Sequence, residues 1–182
     1  MKIEIRNKLS GSLIFACDAK DMRTAVELAL SNHISLSYAN LSGVNLRGVN
    51  LKGANLKGVD LGDTNLRGAN LRDVDLSDTN LKGTNLIDAD LRGAKIHNNI
   101  IISKAPIQIY GLAWPVIIWD NHMQIGCQFH SHAEWDQFND REWLGMGDRV
   151  SLALKRTQFP ALSILCEQHR PKTEIKESRS TY

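Results

Sequence analysis

The sequence predicts a mainly β protein whose middle third is a solenoid, preceded by a strand-and-helix cap and followed by a small α+β module. Three observations carry that reading. From Leu36 to Leu91 a leucine stands at every fifth position, and Ile96 continues the series. Two residues after most of these centres comes Gly or Asp. The chain then changes character, and all four tryptophans lie beyond the last pentad.

A period of five suits neither regular element. Five steps along a helix rotate a side chain by roughly 140°. Five steps along a strand are an odd number, so successive leucines would land on opposite faces. For these leucines to share a side, the chain must turn once per pentad.

Residues 1–31 read as two strands and a helix. "KIEIR" alternates, Ser10-Gly11 suits a turn, and "SLIFA" is apolar and partly β-branched. In "DMRTAVELAL", Met22, Ala25, Val26, Ala29 and Leu30 share one helical face, with Asp21 as N-cap. A solenoid exposes an apolar layer at each end, and this helix is placed to cover the first.

Residues 32–98 carry the pentads. Two positions before each centre lies a small or β-branched residue, from Ile34 and Ala39 to Thr84, Ala89 and Ala94. Asn or Asp usually precedes the centre directly. The position two after it is Gly, or Asp at Asp63, Asp73, Asp78 and Asp88, with Tyr38 and Asn98 as departures. Gly tolerates positive φ, and Asp and Asn bond their own backbone in turns, so this position is the corner. Each short side between corners then points its small residue and its leucine inward.

The pattern resembles the pentapeptide-repeat family, A(D/N)LXX. That resemblance implies a right-handed quadrilateral β-helix in which four pentads make one coil, here about three coils. At ~4.8 Å between neighbouring strands the stack would be about 15 Å tall. Some members of the family resemble duplex DNA and modulate type II topoisomerases through an acidic surface. Here the repeats carry eight cations and seven anions, which departs from that surface.

Grouping every fourth pentad stacks the outward residue after each centre into columns. Two adjacent columns hold Arg47, Arg67 and Ile87, then Lys52, Arg72 and Arg92. These five cations form a basic corner, offset by Asp73, Asp88 and Asp90. They are candidate contacts for an acidic partner; otherwise they are solvated side chains lying over the leucine ladder.

Residues 99–170 read as strands in "PIQIYG", "PVIIW" and "HMQIGC", with Asp120-Asn121 as a tight turn. Ser131 and Glu134 form a capping box for a helix carrying Trp135 and Phe138. Further helices are expected at 140–157 and from Pro160, with apolar stripes from Val150, Leu152, Leu154, Leu162, Ile164 and Leu165. Residues 171–182 form a polar tail. The chemistry here lies in His122, Cys127, His130 and His132, which could bind zinc or make Cys127 a nucleophile activated by His130. The spacing matches no common zinc template, so a small buried Cys beside half-exposed histidines is the plainer reading. This region and the N-terminal strands also resemble small pentapeptide-repeat proteins encoded by phages and prophages. The matching residues are Trp114, Gly126, Cys127, His130, Glu134 and Trp135, and the setting implied is binding to a host machine.

The formal net charge is +2, from 22 Lys and Arg against 20 Asp and Glu, which argues against non-specific nucleic-acid binding. Cys17, Cys127 and Cys166 are few and scattered, as in a reducing cytoplasm. The charged start does not read as a signal peptide. The expectation is a non-enzymatic, cytoplasmic interaction protein without a cofactor, binding a host protein or complex. A homodimer through the C-terminal module is expected with it.

Overall fold

The computed structural model describes residues 1–97, 100–109, 111–112, 114–126, 128–146 and 149–171. Strands β1 (Lys2–Arg6) and β2 (Leu13–Asp18) form an antiparallel hairpin. Its loop is closed by the Asn7 N–H donating to the Ser12 carbonyl at 2.8 Å. Helix α1 (Met22–Ser31) follows, with the Asp21 carboxylate accepting the Thr24 N–H at 2.8 Å. Ala25, Val26 and Ala29 are buried on the face the sequence indicates and pack in one core with Leu36 and Leu41.

The repeats form a β-helix-like solenoid. Parallel bridges join Asn40 to Asp60, Asn45 to Asn65, and so on to Asp75 with Lys95, so the chain returns beside itself every twenty residues. Each return uses the same bonds. The Leu46 N–H donates to the Asn65 carbonyl at 2.9 Å, and the Asn65 N–H donates to the Val44 carbonyl at 3.0 Å. At the corner, Gly48 N–H donates to the Arg67 carbonyl at 2.9 Å.

The corners lie where the pattern puts them. Backbone φ is positive at each fifth residue from Tyr38 to Gly93, including Asp63, Asp73, Asp78 and Asp88. From Asn40 on, the residue before the leucine locks the side by an Asx turn, as where Asn45 Oδ1 accepts the Arg47 N–H at 3.2 Å. All twelve leucines and Ile96 are buried. Thr64 and Thr84, at the small inward position, donate their hydroxyls to the Leu41 and Leu61 carbonyls at 2.7 Å. That disposes of the cost of a buried hydroxyl.

Above the last pentads, β3 (Lys95–Ile96) pairs with β4 (Ile100–Ile101). A four-stranded antiparallel sheet follows, in the order β5 (Ile107–Ile109), β6 (Val116–Ile118), β7 (His122–Ile125) and β8 (Gln128–Ser131). Alternation along β6 splits its side chains between two cores. Ile117 and the next residue but one, Trp119, join the leucine core, as does half-buried Phe129. Val116, Ile118, Met123 and Ile125 face the other way, against Trp135, Trp143, Leu154, Leu162 and Cys166.

Those residues come from helices α2 (His132–Gln137), α3 (Asp140–Gly145), α4 (Arg149–Thr157) and α5 (Phe159–His169). The Ser131–Glu134 capping box is present, and Phe138 is the C-cap of α2. Two expectations need correction. The single helix over 140–157 is broken after Gly145, because α3 and α4 pack on each other rather than run on. Ile164 is no core residue but 57% exposed, while Leu162 and Cys166 turn the buried face of α5 inward. The side chains of Val150 and Leu152 and residues 172–182 lie outside what is described.

Candidate functional site

The five corner cations follow from the repeat. An Asx turn holds the backbone of each outward residue: Asn50 accepts from Lys52, Asn65 from Arg67, Asn70 from Arg72 and Asp90 from Arg92. The twenty-residue return then sets Arg67 above Arg47, and Arg72 and Arg92 above Lys52. All five side chains are exposed.

Their electrostatic situations differ. Arg67 Nη2 lies 3.2 Å from Asp88 Oδ2. Arg92 makes a two-pronged contact with Asp90, Nη2 to Oδ2 at 2.6 Å and Nε to Oδ1 at 2.9 Å. That hydrogen bonding with Arg92 pulls the Asp90 carboxyl down to about 2. Arg47, Lys52 and Arg72 make no ion pair among the described residues, although Arg72 stands close enough to Asp90 to help hold its carboxyl down. The register explains part of the difference. A corner acid reaches a cation twenty-one residues earlier, as Asp88 reaches Arg67 and Asp78 reaches Lys57. For Arg47 and Arg72 that place is taken by Gly68 and Gly93, whereas for Lys52 it is held by Asp73, with which no ion pair forms.

Below this corner sits α1. Arg23 donates Nη1 to the Arg47 carbonyl at 2.9 Å and Nη2 to the Gly48 carbonyl at 3.1 Å, while its Nε meets Glu27 at 3.1 Å. Arg23 closes backbone acceptors that have no further layer beneath them. Nothing in the helical pattern of "DMRTAVELAL" marks Arg23 for this work, because its role arises only when α1 docks.

The histidine cluster is dispersed by the sheet. Met123 pairs with His130, and His122 with Ser131, so His122 and His130 project from opposite faces. His122 stacks on Phe129 on the solenoid side, rings 5.2 Å apart. His130 meets Trp135 and Phe138 on the helical side. His132 is buried in α2, its Nε2 2.9 Å from the His122 carbonyl. Burial pushes both His122 and His132 below the ordinary histidine range. Among the described residues no three His, Cys, Asp or Glu gather as a metal would require. Cys127, the proposed nucleophile, lies outside the described residues.

With this geometry in hand, comparison with known proteins gives a consistent result. Residues 34–73 and 69–98 match the family model for pentapeptide repeats, in eight copies. The solenoid is therefore a pentapeptide-repeat segment. Among solved structures, the chain is similar to a pentapeptide-repeat protein of the cyanobacterium Cyanothece 51142, at 37% identity and TM-score 0.30, covering 37% of this chain and 42% of that one. It is also similar to HetL of Nostoc sp. strain PCC 7120, a protein involved in heterocyst differentiation regulation. There the identity is 32% and the TM-score 0.24, over 37% of this chain and 38% of that one. A second Nostoc pentapeptide-repeat protein matches at 29% identity and TM-score 0.25, over 46% of this chain and 86% of that one. The chain thus spans about two fifths of the length of the first two. No curated protein matches the chain. Among the described residues no helix is long and apolar enough to cross a membrane.

Proposed function

We propose that this chain is a non-enzymatic interaction protein that docks an acidic surface of a host protein on its basic corner. The observation that carries this reading is the group Arg47, Lys52 and Arg72, exposed and in no ion pair among the described residues, beside the paired Arg67 and Arg92. Unpaired cations lose less on meeting a partner than cations that must first leave an ion pair. We read the solenoid as a right-handed quadrilateral β-helix of about three coils. The twenty-residue return supports it, since four pentads fill one circuit. A leucine-filled interior leaves function to the outer columns.

The finer setting is a phage-encoded antagonist acting in a host cytoplasm, without a cofactor, as a homodimer through the C-terminal module. The test is a tagged protein incubated with nuclease-treated bacterial lysate beside an Arg47→Glu/Arg72→Glu variant. The reading expects one stoichiometric partner that the variant loses. Retention of every partner by the variant refutes the corner. A sedimentation mass that stays near 20.4 kDa at all concentrations refutes the dimer.

A further inference from the structure

The solenoid is open on one side of its lower end. Between successive layers a leucine N–H donates to an Asx carbonyl, and that Asx N–H returns to the small residue's carbonyl, as in Leu41–Asp60 and Asp60–Ala39. Among the described residues these two bonds are not made between Ile34–Leu36 and Asn55. The first pentad keeps only its corner bond to the layer above, Tyr38 N–H to the Lys57 carbonyl at 3.0 Å, and its start is tied to α1 instead. His33 N–H donates to the Leu30 carbonyl and Ile34 N–H to the Ala29 carbonyl, each at 2.9 Å.

What opens is a groove of about 720 Å³ between the end of α1 and residues 50–55. Leu30, Ile34 and Ala54 give it an apolar floor. Ala54 is 8% exposed, whereas Val74 and Ala94, stacked above it, are fully buried. On the upper lip, the N–H groups of Asn50 and Asn55 and the carbonyl of Lys52 have no backbone partner among the described residues. Lys52 and Glu27 both border the groove, but Glu27 is already held by Arg23, which leaves Lys52 to meet an occupant; one layer above, Arg72 stands beside Asp73.

A missing rung, an apolar floor and a cationic rim together specify an occupant. We infer that this groove receives a short extended segment of a partner protein, which adds a rung beneath Asn55. Its backbone meets the free peptide groups, one aliphatic side chain enters the floor, and an adjacent Asp or Glu faces Lys52. This rests on the proposed acidic partner and names the part of it that docks.

The probe is a random-peptide display library selected on the full-length protein, followed by the synthetic peptide it yields. The expected winner carries an aliphatic residue beside Asp or Glu and slows hydrogen exchange at the Asn55 amide. Lys52→Glu and Ser35→Tyr, both at exposed positions, should each weaken it by about tenfold or more, and Lys82→Glu, exposed in a different column, should not. Melting curves matching the parent protein establish that each variant is folded. The inference is overturned by the absence of an enriched motif, by binding indifferent to both groove variants, or by unchanged exchange at Asn55. Self-association abolished by Ser35→Tyr would also overturn it, since a second copy would then be the occupant. A lysate partner lost in Arg47→Glu/Arg72→Glu but kept by Ser35→Tyr rejects the groove and leaves the basic corner standing.

Discussion

Gln108 accepts the backbone N–H of Leu86 through Oε1 at 2.7 Å, and its Nε2 donates to the Thr84 carbonyl at 2.7 Å. One layer lower the same two positions are served by a peptide unit: Leu66 N–H meets the Asn85 carbonyl, and Asn85 N–H meets the Thr64 carbonyl, both at 2.9 Å. A side-chain amide therefore stands where the next layer's backbone would be. Gln108→Leu should cost about 1–3 kcal/mol by stranding a half-buried donor and acceptor. Gln108→Glu keeps an acceptor for Leu86 but turns a carboxylate oxygen on the Thr84 carbonyl, and should also destabilise. Urea unfolding of the three proteins measures both effects.

Tyr38 sits at a corner with φ 59°, and its ring lies over Gly58 in the layer above. A Cβ on Gly58 would clash with the edge of that ring, whereas one on Gly68 meets nothing within 4 Å. Both glycines have φ near +68°, so alanine at either costs about 1–2 kcal/mol in backbone strain. Gly58→Ala should lose about 1–3 kcal/mol beyond Gly68→Ala through overpacking. The excess should vanish in a Tyr38→Ser background. Equal melting shifts for the two alanine variants would contradict the contact.

Burial holds His132 below the ordinary histidine range, and burial does the same to His122 and His169. The unfolded chain takes up these protons near pH 6.5, and the folded chain only at lower pH. Their contribution to stability is therefore complete above about pH 6.5 and lost as pH falls through the folded values. The melting temperature should drop between about pH 7 and pH 5, and His132→Gln should flatten that fall. A melting temperature independent of pH in this window would refute the assignment.

Cys166, on the inward face of α5, is buried against Met123, and desolvation pushes its thiol up to about 12. Thiolate is the reactive form. Iodoacetamide at mildly alkaline pH should leave Cys166 unmodified in the folded protein and modify it in urea, as read by peptide mass spectrometry. Rapid native labelling at Cys166 would show the helical layer to be loosely closed.

The solenoid was legible because each pentad repeats the same physical problem. A corner residue, a buried leucine and an Asx lock recur until Leu91, and no long-range information is needed to read them. The α1 face and the Ser131 capping box were legible for the same local reason. The partnering of the cations was not, because Arg67 and Asp88 are twenty-one residues apart and meet only once the layers stack. Arg23 and Gln108 act at the two ends, where the repeat stops supplying its own bonds. The histidines of "HMQIGCQFHSH" look like one cluster in sequence, yet the register of β7 and β8 sends His122 and His130 apart. The break after Gly145 reflects tertiary packing of α3 on α4, which overrides a continuous helical pattern.

The twenty-residue return makes the solenoid a ruler with discrete graduations. Inserting twenty residues would lift the terminal sheet by about 5 Å while leaving it in phase with α1. Inserting five would advance every column by one and turn the sheet by one side of the coil relative to α1. Divergence in length among chains built this way is thereby filtered by phase. Gains and losses in multiples of twenty preserve the relative bearing of the two ends, and any other number of pentads redirects it.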